Sequence, residues 1–313
     1  MSGSPALRTS AAGLDFQNPI VLAAGTAGYG HELAGVMNLD ALGGLVTKAV
    51  SLAPRAGNAA PRVAEFDGGM INAVGLANPG VEAVCADHLP WLASHAPRLR
   101  KLVNVVGFEV DEYARVITRM ERDEHVAAID AYELNLSCPN TKAGGLEFGA
   151  DDAALASVVA RARAATRRPL LVKLSPILPD IARTARASVD AGADAITVVN
   201  TIPGLVVDVR ARRPALGWGS GGVSGSAILP VGVLATWRVT RAVAVPVIGL
   251  GGVRTAQDAL QYVMAGATLV GMGTAALKDP RQPERVVRDL ARWCDANGVR
   301  ALGDIRGCLE WPA

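Results

Sequence analysis

One segment of the chain, residues 133–149 with the sequence ELNLSCPNTKAGGLEFG, carries the side chains best suited to chemistry. An apolar run leads to Asn135, and the Ser-Cys-Pro-Asn turn that follows places Cys138 and Asn140 in a loop. A thiol that loses its proton is a base and a nucleophile, and its unperturbed pKa is near ~8.5. A lone cysteine is more often a small core residue. The polar, proline-bounded loop favours a chemical role for Cys138.

Other polar residues and glycines recur at corresponding places, directly after short apolar runs. They are Gly25, Lys48, Asn104, Asn135, Lys173, Asn200, Gly251, Gly252, Gly273 and Thr274. Any one lysine among them is equally well explained as a solvated loop residue. Six or more such residues at one topological position favour a shared active-site rim.

The apolar runs predict eight β-strands separated by segments with helical patterning. The predicted strands span residues 20–24, 44–47, 102–106, 131–136, 170–174, 195–199, 247–250 and 269–272. The clearest predicted helices span residues 151–166, 181–191, 229–242, 255–265 and 283–297. Together they predict an α/β fold, a (β/α)8 TIM barrel, whose active site lies at the carboxyl ends of the strands.

Two connections are too long for simple barrel helices. Residues 50–80 and 201–228 are rich in Gly, Pro, Asn and Arg, which predicts excursions above the barrel mouth, such as small hairpins. Neither has the composition of a linker, so residues 1–313 are interpreted as one domain.

Small residues follow the last two predicted strands, in the segments VIGLGGVRTAQDA and LVGMGTAAL. Glycine lets backbone N–H groups approach an anion, and the loops after strands 7 and 8 are the usual phosphate site of this fold. Thr255 is placed to cap the following helix. The alternative is a pair of tight turns that bind nothing. Gly217, Gly219 and Gly222 match GxGxxG, but they follow Pro214 rather than a βαβ strand, so we reject a dinucleotide site.

The overall composition excludes several classes of protein. The 31 basic and 29 acidic residues are interspersed, which leaves no basic stripe for nucleic acid. The cysteines at 85, 138, 294 and 308 form no CxxC pair, so neither a metal site nor a disulfide framework is indicated. Residues 1–20 lack an apolar signal-peptide core, and no later stretch has 18 uncharged apolar residues. A reducing cytoplasm is the expected location.

The sequence resembles the class 1 dihydroorotate dehydrogenases, and among them the B-type, NAD-linked catalytic subunit, over nearly the whole chain. The resemblance is carried by NLSCPN and by six further segments, together with both glycine turns. The six are NPIVLAAGTAGYG at 18–30, LVTKAVSLAPRAGNAAPRVAE at 45–65, NAVGLANPGVEA at 72–83, LVKLSP at 171–176, VVNTIPG at 198–204 and GGVSGSAI at 221–228.

The resemblance implies an FMN-dependent oxidation of dihydroorotate to orotate in pyrimidine biosynthesis. Cys138 would take the C5 proton while hydride leaves C6 for the flavin, with Lys48 as a second catalytic group. The implied substrate-binding residues are Lys48, Asn72, Ala73, Val74, Gly75, Leu76, Asn135, Asn140, Asn200 and Thr201. The implied FMN-binding residues are Ala24, Gly25, Lys48, Ala49, Asn104, Asn135, Lys173, Val199, Gly225, Gly251, Gly252, Gly273 and Thr274.

Three positions depart from the family pattern. Ala24 stands where relatives often carry Ser, Ser226 replaces a common Pro, and Leu229 follows where Lys is frequent. These changes affect expected flavin contacts and the partner surface, and none touches the proton-transfer residues.

The resemblance also implies a partner subunit that carries FAD and a [2Fe-2S] cluster and delivers electrons to NAD+, around a homodimer core of a heterotetramer. The four scattered cysteines cannot themselves hold such a cluster. Alternatives remain: an A-type enzyme linked to fumarate, a related flavin dihydropyrimidine dehydrogenase, a non-flavin phosphate-binding barrel with isomerase or lyase activity, and a non-catalytic binding subunit.

Overall fold

The computed structural model describes residues 4–136, 139–140, 146–147 and 151–312. Eight parallel strands form a closed barrel, in which each strand pairs with its neighbours along the chain and the last pairs with the first. Barrel strands 1 to 8 span Ile20–Leu22, Gly44–Val46, Arg100–Val105, Ala131–Asn135, Leu170–Leu174, Ala195–Val198, Val247–Leu250 and Leu269–Met272. All eight predicted strands and the predicted TIM barrel are therefore confirmed.

Helices surround the barrel between successive strands. The longer ones span Val110–Glu121, Asp152–Ala165, Ile181–Asp190, Leu229–Thr240, Ala256–Met264 and Gln282–Ala296. The shorter ones span His31–Ala34, Val81–Ala83, Val84–His88, Leu89–Ser94 and Thr274–Lys278, and single turns of 3-10 helix lie at Pro5–Leu7, Leu39–Ala41, Val126–Ala128, Ser226–Ile228 and Leu302–Ile305. The five predicted helices are confirmed to within two residues at each end.

Local capping explains where two of these helices begin. The Asp151 carboxylate accepts hydrogen bonds from the N–H groups of Ala153 and Ala154. The predicted cap Thr255 accepts from the N–H of Asp258, whose carboxylate accepts in return from the N–H of Thr255. Both side chains satisfy N–H groups that have no partner within the helix.

The two long connections form one structure rather than two separate hairpins. A four-stranded antiparallel sheet runs in the order Ile202–Gly204, Gly221–Ser224, Gly69–Asn72 and Val63–Phe66. The pairing of Gly222 with Asn72 joins the first excursion to the second. A two-residue hairpin, Val207–Asp208 with Arg213–Pro214, extends from the second excursion.

Two further two-stranded sheets lie outside the barrel. Pro139–Asn140 pairs with Leu146–Glu147 in the connection after barrel strand 4. An N-terminal hairpin, Thr9–Ala11 with Leu14–Phe16, packs on the barrel interior.

The barrel interior begins with an apolar layer to which every barrel strand contributes one residue. Its members are Val21, Val46, Leu102, Ala131, Leu171, Ala195, Ile248 and Leu269, and the hairpin adds Ala11 and Phe16. A larger apolar cluster fills the space between the barrel and the helices. Because side chains alternate across a strand, the next inward residue lies two positions further along each strand, towards its carboxyl end.

Among the described residues, no helix is both long enough and apolar enough to cross a lipid bilayer.

Candidate active site

Above the apolar layer, the inward positions of five consecutive strands become polar. This inner polar layer consists of Lys48, Asn104, Glu133, Lys173 and Thr197, each two residues beyond a member of the apolar layer. Asn104 is 0% exposed, Glu133 and Thr197 are 1% exposed, and Lys173 is 6% exposed. A polar layer this deep inside a barrel needs internal partners or a polar ligand.

Asn104, Asn135 and Lys173 do not follow their strands but lie inside them, as the predicted strand ranges 102–106, 131–136 and 170–174 already imply. All three lie within the last two residues of a strand, and they are fixed by the ladder rather than by a loop. Register places Lys173 beside Asn135 on one side and beside Thr197 on the other. The strands therefore hold these side chains with little freedom.

Glu133 connects the inner polar layer and was missed by the sequence reasoning. Its Oε1 accepts from Nδ2 of Asn104 at 2.8 Å, and its Oε2 accepts from Oγ1 of Thr197 at 2.9 Å. The alternation of Ala131, Glu133 and Asn135 within one strand is the signal that could have identified it.

Lys48 follows barrel strand 2, and its backbone is held from two directions. The Lys48 N–H donates to the carbonyl of Gly28 at 2.7 Å. The buried hydroxyl of Tyr29 donates to the next carbonyl, that of Ala49, at 3.2 Å. The loop after strand 1 therefore positions the Lys48–Ala49 segment.

Tyr29 is itself held in an aromatic stack. Its ring lies 4.1 Å from that of His88, which lies 5.1 Å from that of His31. Burial lowers the pKa of His88 below its ordinary value, and the nearby His31 and Lys48 lower it further, against Glu32 and Asp87. The stack is therefore built around a neutral imidazole next to a lysine.

Neither Lys48 nor Lys173 forms an ion pair with any carboxylate that the structure describes. Two ammonium groups against the single carboxylate of Glu133 give this layer of described residues a net positive charge, which suits an anionic ligand. Within the same described part of the chain, no three potential metal ligands come together.

Amides line the mouth beyond the polar layer. Nδ2 of Asn200 donates to Oδ1 of Asn135 at 3.2 Å, and Oδ1 of Asn200 accepts from the N–H of Thr201 at 2.8 Å. The Tyr113 hydroxyl donates to the backbone carbonyl of Asn135 at 3.1 Å. The structure thus brings three predicted substrate residues into one hydrogen-bonded row.

The four-stranded sheet connects this row to Asn72. Nδ2 of Asn72 donates to the carbonyl of Gly222 at 3.2 Å. A Cβ on Gly222 would meet Oγ1 of Thr201 at 2.1 Å, so only glycine permits this approach. Asn72 and Thr201 therefore flank the same strand.

The predicted segment Ala73 to Leu76 follows Asn72 in an irregular conformation. Gly75 and Leu76 have φ values of +73° and +57°, and such a value is unusual for leucine. The Asn58 side chain donates to the carbonyl of Ala73, and its N–H donates to that of Val74. This bracing stabilises two successive left-handed residues, a strained arrangement typical of binding sites.

The predicted glycine positions gather at the other side of the mouth. Thr274 donates its hydroxyl to Oγ of Ser224 at 2.8 Å, which joins the loop after barrel strand 8 to the second excursion. The N–H groups of Gly225 and Gly252 donate to no acceptor in the described part of the chain. Added Cβ atoms there would meet Cα of Gly69 at 2.6 Å and N of Leu229 at 2.7 Å. These N–H groups form a cradle of the kind that binds phosphate.

The remaining predicted cofactor residues lie on the same rim. Gly25 has a φ of +79° and open space where a Cβ would stand, and Ala24 precedes it half-buried. Buried Val199 donates its N–H to the carbonyl of Leu250, and Gly251 accepts from the Tyr262 hydroxyl at 2.6 Å. Gly273 immediately follows barrel strand 8.

Two predicted residues cannot be placed in this geometry. Cys138 lies outside the described residues, and for Asn140 only the backbone pairing with Leu146 is described. Barrel strand 4 ends at Asn135, three residues before Cys138.

The residues present fit a flavin nucleotide on three observations. Oδ1 of Asn104 is a buried acceptor with no partner among the residues that the structure describes. The glycine cradle leaves N–H donors for a phosphate. The two lysines supply positive charge between these features.

The sequence matches one known family over most of its length. Residues 6–293 match the family described as dihydroorotate dehydrogenase. A protein of Pelobacter propionicus is 44% identical over 307 residues, which cover 98% of this chain and 99% of that protein. A protein of Trichlorobacter lovleyi shows the same identity and coverage. A protein of Desulforudis audaxviator is 47% identical over 299 residues, which cover 96% of each chain. All three relatives are named dihydroorotate dehydrogenase B (NAD(+)), catalytic subunit.

Proposed function

Because this chain belongs to the dihydroorotate dehydrogenase family, we propose that it is the catalytic subunit of a B-type, NAD-linked enzyme that oxidises (S)-dihydroorotate to orotate in pyrimidine biosynthesis. The observation that supports this best is the inner polar layer, whose two lysines form no ion pair with any described carboxylate, placed beside an amide row and a glycine cradle. Orotate is a planar carboxylate with imide edges, so its recognition needs cationic and amide groups together.

The cofactor proposed for this chain is FMN. Its phosphate would bind at Gly225, Gly251, Gly252, Gly273 and Thr274, where helix N-termini and free N–H groups favour an anion. Its ring system would lie over the inner polar layer, against Ala24, Gly25, Ala49, Asn104, Lys173 and Val199. Bound FMN would supply a two-electron acceptor for the hydride that leaves C6 of the substrate.

The substrate would bind between that ring system and the excursion sheet. Lys48 would bind the carboxylate together with the backbone of Val74, Gly75 and Leu76. Asn72, Asn135, Asn140, Asn200 and Thr201 would bind the imide edges, with Ala73 alongside. The bracing of this segment by Asn58 would keep it in place before the substrate arrives.

Proton removal is assigned to Cys138. The C5–H bond breaks, its electron pair forms the C5=C6 double bond, and the proton goes to the thiolate Sγ, which later returns it to water. This assignment rests on the NLSCPN motif and on the position of Cys138, three residues beyond the end of barrel strand 4. Lys48 and Lys173 would lower the pKa of the thiol by their positive charge.

A separate electron-transfer subunit completes the proposal. The relatives are named as catalytic subunits of an NAD(+)-linked enzyme, which supports a partner that reacts with NAD+. We assign FAD and a [2Fe-2S] cluster to that partner, and a heterotetramer built on a homodimer of this chain. Residues 1–313 would then form a single FMN-binding domain.

The visible spectrum of the purified chain tests this function. We expect a flavin spectrum that bleaches on anaerobic addition of dihydroorotate and is unchanged by dihydrouracil, which lacks the carboxylate. A colourless chain that also fails to take up added FMN would refute the cofactor. Bleaching by dihydrouracil would refute the substrate.

Steady-state turnover of the isolated chain tests the partner. We expect turnover with an artificial dye and none with NAD+ until a partner subunit is added. Robust turnover of the chain alone with NAD+ or with fumarate would contradict the B-type assignment.

A further inference from the structure

Glu133 is the one carboxylate of the inner polar layer, and none of the predicted roles accounts for it. It is 1% exposed and faces the barrel interior from the middle of barrel strand 4. It forms no ion pair with any described residue. Because a buried carboxylate is costly, its two hydrogen bonds must be what retains it at this position.

Those hydrogen bonds reach across four strands. Asn104 lies on barrel strand 3 and Thr197 on strand 6, while strand 5, with inward residues Leu171 and Lys173, lies between Glu133 and Thr197. Register places Glu133 level with Leu171, and Thr197 level with Lys173. The carboxylate therefore lies at the base of the space below the mouth.

The contact with Glu133 determines which way the Asn104 amide faces. A carboxylate only accepts, so Asn104 must present Nδ2 to it, and Oδ1 then points elsewhere. Oδ1 is buried and has no partner among the described residues. An unsatisfied buried acceptor destabilises the chain unless a ligand brings a donor.

We propose that Glu133 is a positioning residue for the flavin: it fixes Asn104 so that Oδ1 faces the ring system as an acceptor for a ring N–H, and it places a negative charge below that ring system. The inference rests on the proposed FMN site. It adds a residue and an electrostatic role to that site, since Glu133 and Lys173 then act in opposite directions on the reduced flavin.

The substitution Glu133→Gln separates this role from a structural one. The glutamine amide has nearly the same shape, but its NH2 group can donate to Oδ1 of Asn104, so Asn104 is no longer required to present Nδ2 to residue 133 and the reversed amide, with Nδ2 towards the flavin, becomes accessible. The matched control is Glu121→Gln, which alters a half-buried carboxylate that accepts from Thr166 and pairs with Arg168, away from the mouth.

FMN affinity and flavin potential are the two readouts. For Glu133→Gln we expect FMN affinity, measured by flavin fluorescence on titration of the apoprotein, to fall at least tenfold. We expect the midpoint potential of bound FMN to rise by about 30 mV, because the negative charge of Glu133 is lost. For a two-electron couple, this rise is a tenfold change in the equilibrium constant for reduction. The control Glu121→Gln should match the wild type in both.

A double variant tests the orientation directly. Asn104→Asp combined with Glu133→Gln restores a donor–acceptor pair and returns an acceptor oxygen to the flavin side. We expect FMN affinity within tenfold of the wild type, and a greater loss would overturn the proposal. This variant also carries the test if the single variant does not fold.

The remaining outcomes are distinguishable. Wild-type affinity and potential in Glu133→Gln would overturn this inference alone. A wild-type chain that binds no FMN would overturn the proposed cofactor and this inference with it.

Discussion

The hydrogen bonds that hold the Lys48–Ala49 backbone permit a quantitative prediction for Tyr29→Phe. The substitution removes one hydroxyl that is buried and donates to the carbonyl of Ala49 at 3.2 Å. The Lys48 N–H keeps its bond to Gly28, and the Lys48 carbonyl keeps its bond from the Thr47 hydroxyl, so the segment loses one of three hydrogen bonds. Phenylalanine retains the ring that stacks on His88.

The loss of this hydrogen bond has a calculable size. A net hydrogen bond contributes about 0.5–1.5 kcal/mol to stability, so the free energy of unfolding should fall by about 1 kcal/mol. At about 2.1 cal/mol/K per residue, a chain of this length has an unfolding entropy near 0.66 kcal/mol/K, so Tm should fall by roughly 1.5 °C.

The kinetic effect should fall on substrate binding. In the proposed site Lys48 binds the carboxylate equally in the ground state and the transition state, so at a pH where the Cys138 thiol is fully ionised its displacement raises KM without lowering kcat. The most that substrate binding can lose through this restraint is the same ~1 kcal/mol, so KM for dihydroorotate should rise by up to about fivefold. We expect kcat within twofold of the wild type.

Steady-state kinetics and thermal unfolding measure these quantities on the same preparations. The control is Ser188→Ala, which removes another buried hydroxyl, one that donates to the carbonyl of Thr184 within the helix Ile181–Asp190, away from the mouth. The control should change Tm without changing KM. An unchanged KM in Tyr29→Phe, with the same fall in Tm, would show that Tyr29 does not position Lys48.

Three further predictions use other parts of the site. Cys138→Ala should leave FMN bound but slow its reduction by about 10²–10⁴-fold, the usual contribution of a general base, and near-normal stopped-flow bleaching would remove Cys138 from the mechanism. Lys173→Ala should lower the flavin midpoint potential, because a positive charge near the reduced flavin is lost, and an unchanged potentiometric titration with FMN still bound would contradict that role. The depressed pKa of His88 means that the unfolded chain binds a proton more readily than the folded chain. The stability that the neutral imidazole contributes is thus present above about pH 6.5 and lost as pH falls through the folded pKa, so His88→Phe should flatten the decline of Tm between pH 7 and pH 5.

The strands could be predicted because each is a short apolar run with a sharp polar boundary. Barrel strand 3 begins two residues earlier than predicted because charged residues occupy its start. The side chain of Arg100 pairs with Asp130, and the backbone N–H of Lys101 donates to the same carboxylate. Such pairing depends on the neighbouring strand and leaves no local pattern.

Two of the helical segments that were not predicted were missed for different physical reasons. The helix Val110–Glu121 is capped by Glu109, a residue type that is uncommon at the N-cap. Its capping box with Glu112 therefore carries no strong sequence signal. Residues 81–94 contain Pro90, which lacks an N–H, and the helix accommodates it with a wider turn at Val84–His88.

The candidate site was predictable where residues follow strand ends and obscure where contacts are distant in sequence. Lys48, Asn200 and the glycine turns follow the strand pattern. The two excursions join in one sheet because Asn72 pairs with Gly222, which lies 150 positions further along the chain. Local sequence propensity does not encode such a distant pairing. Glu133 was missed because attention to strand ends overlooks polar residues inside a strand.

The closure of the barrel has a consequence for how the chain is made. Barrel strand 1 and the N-terminal hairpin leave the ribosome first, yet strand 1 pairs with strand 8, roughly 250 residues later. Until barrel strand 8 has been synthesised, Ile20–Leu22 presents an unpaired apolar edge, the kind of segment that aggregates or recruits chaperones. The yield of folded protein in a foreign host should therefore depend more strongly on chaperone supply and translation rate than on added ligand. The ligand-binding site does not exist before the barrel closes.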